Sequence, residues 1–123
     1  MTGNDGAFNL TALAYRVRSD RPQYVLPVLE HGAFSATILR PSPGEPFEEG
    51  IALTDTIYIV IAGFGSLGSG DDNAVEATAG DVLFVPAGRD RRFTKLSRKF
   101  EVWRLHYDRS VEHRHRDANM THD

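Results

Sequence analysis

An all-β sandwich or barrel carrying one short N-terminal helix is the fold class that this sequence predicts, on three observations. After Pro22 the chain falls into short runs rich in β-branched and aromatic residues, the composition that suits a pleated, half-buried surface. Clusters of Gly, Pro, Asn and Asp cut these runs about every ten residues, the spacing of small sandwiches and barrels. The chain has 123 residues, 41% hydrophobic and 25% charged, which suits a single domain with one core.

Taken in order, Leu10, Leu13, Ala14 and Val17 recur at helical spacing behind Asn9 or Thr11 as the cap. The strands expected are 24–29, 33–39, 56–61, 74–78, 82–85, 91–96 and 100–107. His31-Gly32, Pro41 to Gly44, Gly68 to Asn73 and Pro86-Ala87-Gly88 supply turns between them. We therefore divide the chain into an N-terminal segment, 1–22, a β-barrel, 23–108, and a polar tail, 109–123.

Charge and composition narrow the function classes. A net charge of −3 and a pI of about 5.9 argue against a basic nucleic-acid surface. The cluster Arg89, Arg91, Arg92, Lys95, Arg98 and Lys99 alternates between strand faces and reads as solvated surface. With no cysteine, disulfides, thiolate zinc sites and cysteine nucleophiles are excluded, and a cytoplasmic setting is expected. No run approaches the ~20 apolar residues of a membrane span.

The stretch Gly80-Asp81-Val82-Leu83-Phe84-Val85-Pro86-Ala87-Gly88, followed by Arg89-Asp90-Arg91, resembles the second motif of the cupin family. In that motif a Gly-Asp turn, a hydrophobic run and Pro-x-Gly lead to a metal-binding His. Upstream, Pro43-Gly44 and the run Asp55 to Gly65, closing on Gly63-Phe64-Gly65, resemble the first motif. The resemblance spans residues 33–107 and implies a cupin-type jelly-roll β-barrel. The ligand positions depart from it. Arg91 stands where the second motif has its His, Thr56 where the first has its Glu, and 49–52 hold no histidine. Arginine has no lone pair to give and stays protonated, so a family-type metal centre is not expected and no cofactor is assigned. Glu49, Asp55 and His106 remain the residues able to improvise one.

On the strand opening at Arg91, the period of two puts Arg91, Phe93 and Lys95 on one face. In the cupin register that face looks into the barrel, where Arg91, backed by Phe93 and Tyr58, would hold a carboxylate, phosphate or enolate. The alternative is an ion pair between Arg91 and Asp55 or Glu49. Arg104 and His106 share a face with Phe100 and Val102. A neutral His106 could serve as general acid or base, or simply be satisfied at a strand end. His31, His113, His115 and His122 sit at a turn or in the tail and carry less.

The expected ligand-binding set is thus Arg91, Phe93, Tyr58, Asp55, Glu49 and Arg104, with His106 as the catalytic candidate. Ile57-Tyr58-Ile59-Val60-Ile61 is apolar on both faces, so its outer face needs a cover, a second subunit or the helix around Leu10 and Leu13. A homodimer is expected. Binding of a small anionic organic molecule leads, ahead of a metal-independent isomerase, cyclase or lyase and of a metal-dependent oxygenase with unusual ligands.

Overall fold

One helix and nine strands form among the described residues, 6–17, 23–69 and 73–108, of a computed structural model of the chain. The helix α1 is Leu10–Val17, and Asn9 caps it: its Oδ1 accepts the Ala12 amide at 3.0 Å. Asn9 is therefore the cap, and Thr11 is not. Ala14 is the helix residue buried beneath, where α1 packs on the first strand.

The strands are β1 (Tyr24–His31), β2 (Phe34–Arg40), β3 (Phe47–Ile51), β4 (Asp55–Ala62), β5 (Phe64–Ser69), β6 (Ala74–Thr78), β7 (Val82–Val85), β8 (Asp90–Thr94) and β9 (Glu101–Tyr107). Two antiparallel sheets result, ordered β1-β2-β9-β4-β7 and β3-β8-β5-β6. Apart from β1–β2 and β5–β6, neighbours in space are distant in sequence, as the crossed connections of a jelly roll require. Pro27 falls on the edge strand β1, beside a bulge between Pro27 and Leu29, where no inner partner needs its missing N–H.

Two strands were not expected. Phe47–Ile51 carries Glu48, Glu49 and Gly50, and Phe64–Ser69 reads FGSLGS; both lack the β-branched run that marks the others. Tertiary pairing with β8 holds each of them. Gly63, which closes β4, is required by close approach and by backbone: its φ is +77°, and a Cβ there would lie 2.9 Å from Phe100 Cα.

Between the sheets lies a core of Leu39, Tyr58, Val60, Leu67, Ala77, Val85, Phe93, Leu96, Phe100 and Val102. Alternation places these residues inward. Thr56, Tyr58 and Val60 point in from β4, Val102, Arg104 and His106 from β9, and Arg91 and Phe93 from β8. Lys95 does not continue that row. The strand ends at Thr94, and Lys95 turns outward, exposed, at φ 55°.

The outer face of the first sheet is unevenly covered. Ile38 and Ala36 are buried on β2, whereas Val82 (63%), Phe84 (61%) and Ile57 (38%) stay exposed on β7 and β4. Trp103 and Leu105 continue the same outer rows. The helix lies at the β1 side and leaves the β4–β7 side open.

Candidate functional site

Thr56, Arg91, Arg104 and His106 converge at one end of the barrel, where β4 meets β9 and β8 faces them from the other sheet. Glu49 joins them through a β-bulge. In the β3–β8 pairing Glu48 faces Arg92 and Gly50 faces Arg91, so Glu49 is the extra residue, with Gly50 at φ +75° beside it. Such a bulge re-aims a side chain. Here it sends the Glu49 carboxylate inward, to a side chain 7% exposed.

That carboxylate is held at both oxygens. The Tyr58 hydroxyl donates to Oε1 at 2.6 Å, and Arg104 Nη1 donates to Oε2 at 2.6 Å. Burial, reinforced by the adjacent Glu49, pushes the Tyr58 phenol far above its usual range, so it remains a donor at every working pH. Arg104 is only partly spent by this pair: its Nε is buried with no hydrogen-bond partner.

His106 forms the second half of the cluster. Its Nδ1 lies 2.8 Å from Thr54 Oγ1 and 3.3 Å from Thr56 Oγ1, which leaves Nε2 as the ring's uncommitted nitrogen. Burial lowers its pKa from the usual value, Arg104 and Arg91 lower it further, and Glu49 opposes them. A neutral imidazole results at pH 7. Because the folded pKa lies below 6.5, the unfolded chain binds more protons just below that pH, and stability falls as pH drops through this window. His106→Asn is expected to remove that component, so the wild-type-minus-variant stability, measured by denaturant melts, should decline as pH falls below 6.5. A difference independent of pH would show an exposed, unperturbed imidazole.

Arg91 lies in the barrel, 1% exposed, as the register predicted, but its partners differ from those expected. It forms an ion pair with neither Asp55 nor Glu49. Its guanidinium donates to the Thr56 hydroxyl, to Pro86 O at 3.0 Å, to Val85 O and Thr54 O at 3.4 Å each, and from Nε to Arg89 O at 3.3 Å. Asp55 leaves the set altogether. It is the residue before Thr56, so it faces the other side of β4, where its Oδ1 accepts the Ala87 amide at 2.9 Å and pins the Pro86-Ala87-Gly88 turn. Phe93 and Tyr58 do meet Arg91 inside the barrel. They are core, 1% and 0% exposed, with rings edge-on at 5.1 Å, and they form no open wall.

The donor set does not fit a divalent cation. No group of three or more His, Cys, Asp or Glu side chains converges among the described residues. A guanidinium occupies the centre instead, bonded to the Thr56 hydroxyl. Asp55 points away, so the improvised trio with Glu49 and His106 does not assemble. His31, on the edge strand β1, packs its ring against Phe8 at 6.2 Å, while His113, His115 and His122 lie outside the described residues.

Solved structures match this architecture closely. A Cupin 2 conserved barrel domain protein from Salinispora arenicola superposes with a TM-score of 0.64 at 21% identity, over 80% of this chain and 86% of that one. An RmlC-like cupin with a double-stranded β-helix fold from Methanocaldococcus jannaschii gives 0.65 at 15% identity, over 74% and 84%. This chain has the cupin fold. A DMSP lyase from Ruegeria pomeroyi shares it as well, at a TM-score of 0.61 and 15% identity, over 70% of this chain and 47% of the lyase. No family model and no curated protein matches the sequence. Cupin barrels thus house enzymes alongside proteins of unassigned role, and the fold alone selects neither. No helix among the described residues is long and apolar enough to cross a membrane.

Sequence reasoning turned Arg91, Phe93 and Tyr58 inward and put Arg104 and His106 on one face, and the structure brings all five together with Glu49. It missed Thr54, whose hydroxyl orients His106. Thr54 precedes β4 in the segment Leu53-Thr54, and no period marks its direction.

Proposed function

We propose that this cupin binds a small anionic organic molecule at the end of the barrel lined by Arg104, Glu49 and His106, without a metal. One observation carries the reading: among the described residues, the inward charges there do not balance. Arg91 and Arg104 bring two cations, Glu49 brings one carboxylate, and His106 is neutral. Arg91 is satisfied by neutral acceptors, while Arg104 keeps a buried donor, Nε, with nothing to bond. A carboxylate supplies both the missing charge and the missing acceptor.

The test follows the His106 ring nitrogens by NMR during titration with acetate or pyruvate, against acetamide. We expect saturable shifts with the acids and little change with the amide, and Arg104→Gln should weaken acid binding by ~1.5–3 kcal/mol, the range for hydrogen bonds to charged groups. Equal responses to acid and amide would refute the reading.

A second reading, a metal-independent isomerase, cyclase or lyase, is favoured by the pairing of a neutral His106 free at Nε2 with the Glu49 carboxylate. Those are the groups that would give and take a proton, and Arg104 would steady a developing oxyanion. Activity abolished by His106→Asn with acid binding intact would support it.

We also propose a homodimer through the exposed outer rows of β4 and β7. Ile57, Val82 and Phe84 form an uncharged patch next to the free edge of a four-residue strand, and a patch without charge can face its own copy across a twofold axis. Light scattering at tens of micromolar should give twice the 13.7 kDa chain mass, and Phe84→Glu should give the monomer. A monomeric wild type would overturn this.

A further inference from the structure

A cleft of about 310 Å³ opens at the opposite end of β2 and β9 from His106. Its apolar walls are Tyr24, Val25, Pro46 and Phe47, and Arg40 lies among them. Arg40 faces Tyr24 across the β1–β2 pair, with its guanidinium carbon 5.0 Å from the ring centroid. This contact holds the guanidinium over an aromatic face.

Behind it stands Glu101, with a side chain 4% exposed. The Tyr24 hydroxyl donates to Glu101 Oε2 at 2.5 Å, and Arg40 Nη2 comes to 3.7 Å from the same oxygen. At that separation the carboxylate balances the charge of Arg40 without serving as a hydrogen-bond acceptor. The side chain of Arg40 is 28% exposed, yet its Nε is buried and has no partner. A partly exposed guanidinium held against an aromatic ring thus lines one cleft of a volume suited to a small ligand.

We propose that this cleft is a second ligand site, for a small monocarboxylic acid with a flat apolar body. The acid's oxygens would take the part of the Arg40 guanidinium that is open to the cleft, whose fork matches a carboxylate, and its body would lie between Tyr24, Pro46 and Phe47. Glu45, exposed at the rim of the same cleft, repels a second negative charge, which selects one carboxylate over two. The site is independent of the cluster at His106.

Amide spectra of the ¹⁵N-labelled full chain, titrated with benzoate, benzamide and phthalate, test it. Benzoate should shift the amides of Tyr24, Ser42 and Phe47 saturably, and benzamide and phthalate should each bind at least about tenfold more weakly. Arg40→Gln should cost benzoate about tenfold in affinity and leave benzamide unchanged, with Arg40→Lys intermediate. The comparison of the three probes on the unaltered chain decides even if a variant does not fold. Equal binding of benzoate and benzamide, shifts confined to Thr54, Thr56 and His106, or no saturable shift at all would each overturn the proposal. The second of these outcomes would leave the His106 site standing, and failure of acetate there would leave this cleft untouched.

Discussion

Phe93→Ala lowers the stability of the fold by about 3–5 kcal/mol, the cost of deleting a buried aromatic side chain and leaving its cavity. Phe93 is 1% exposed and holds three rings together: Tyr58 edge-on at 5.1 Å, Phe100 at 5.5 Å and Phe47 at 6.5 Å. These contributors come from β3, β4, β8 and the turn before β9, so both sheets lose their common contact at once. Tyr58 would also lose the ring that fixes its hydroxyl on Glu49. Against a total stability of ~5–15 kcal/mol for a domain, such a loss is large. Urea melts should show a lower midpoint with an unchanged slope. The control is Phe64→Ala, a ring 60% exposed on β5, which should cost well under half as much. If the two variants melted alike, β8 would be out by one residue in its register.

The register of β8 was legible because its period of two is anchored by a turn that the sequence spells out. Pro86-Ala87-Gly88 ends β7, the resemblance to the cupin motif that contains it turns Arg91 into the barrel, and the period of two carries Phe93 with it. The same arithmetic, run from Thr56, puts Tyr58 and Val60 on the ligand-facing side, and the structure packs both into the core. Lys95 escaped it, because counting assumes that the strand continues, and the backbone turns left-handed there at φ 55°. Strand β3 escaped for a different reason. Its Glu48 and Glu49 look like loop residues until a partner strand is known: Glu48 goes outward to Arg92 at 2.6 Å and Glu49 inward to Arg104.

Charge pairing was the least legible part. Two arginines and two acids were known to be near one another, and the sequence could not say which would pair. Glu49 chose Arg104 and Tyr58 because the bulge aims it between β4 and β9. Asp55 chose the Ala87 amide because its neighbour Thr56 took the inward direction. What remained for Arg91 were a hydroxyl and the carbonyls of the loop below it, acceptors that no residue-type pattern advertises.

Arg91→Ala is expected to cost about 3–5 kcal/mol, with the size of the loss set by those acceptors. Thr56 Oγ1 and the carbonyls of Thr54, Val85, Pro86 and Arg89 all accept from this one side chain. Each buried acceptor stranded by its removal costs on the order of 1–3 kcal/mol, less where water can enter, and the emptied volume adds a cavity term. An opposing effect runs the other way, since burying a guanidinium without a carboxylate is itself costly. Arg91→Met separates the two. Methionine refills the volume and removes the charge while leaving the acceptors stranded, so it should recover only part of the loss, and Arg91→Lys, with a point charge in place of a planar fork, should also fall short of wild type. Denaturant midpoints for the three variants give the order. If Arg91→Met equalled or exceeded the wild type in stability, the hydrogen bonds would be worth no more than the desolvation they offset. The cation would then stand in the barrel at a net cost to the fold, the outcome that the proposed anion binding beside Arg104 and His106 would account for.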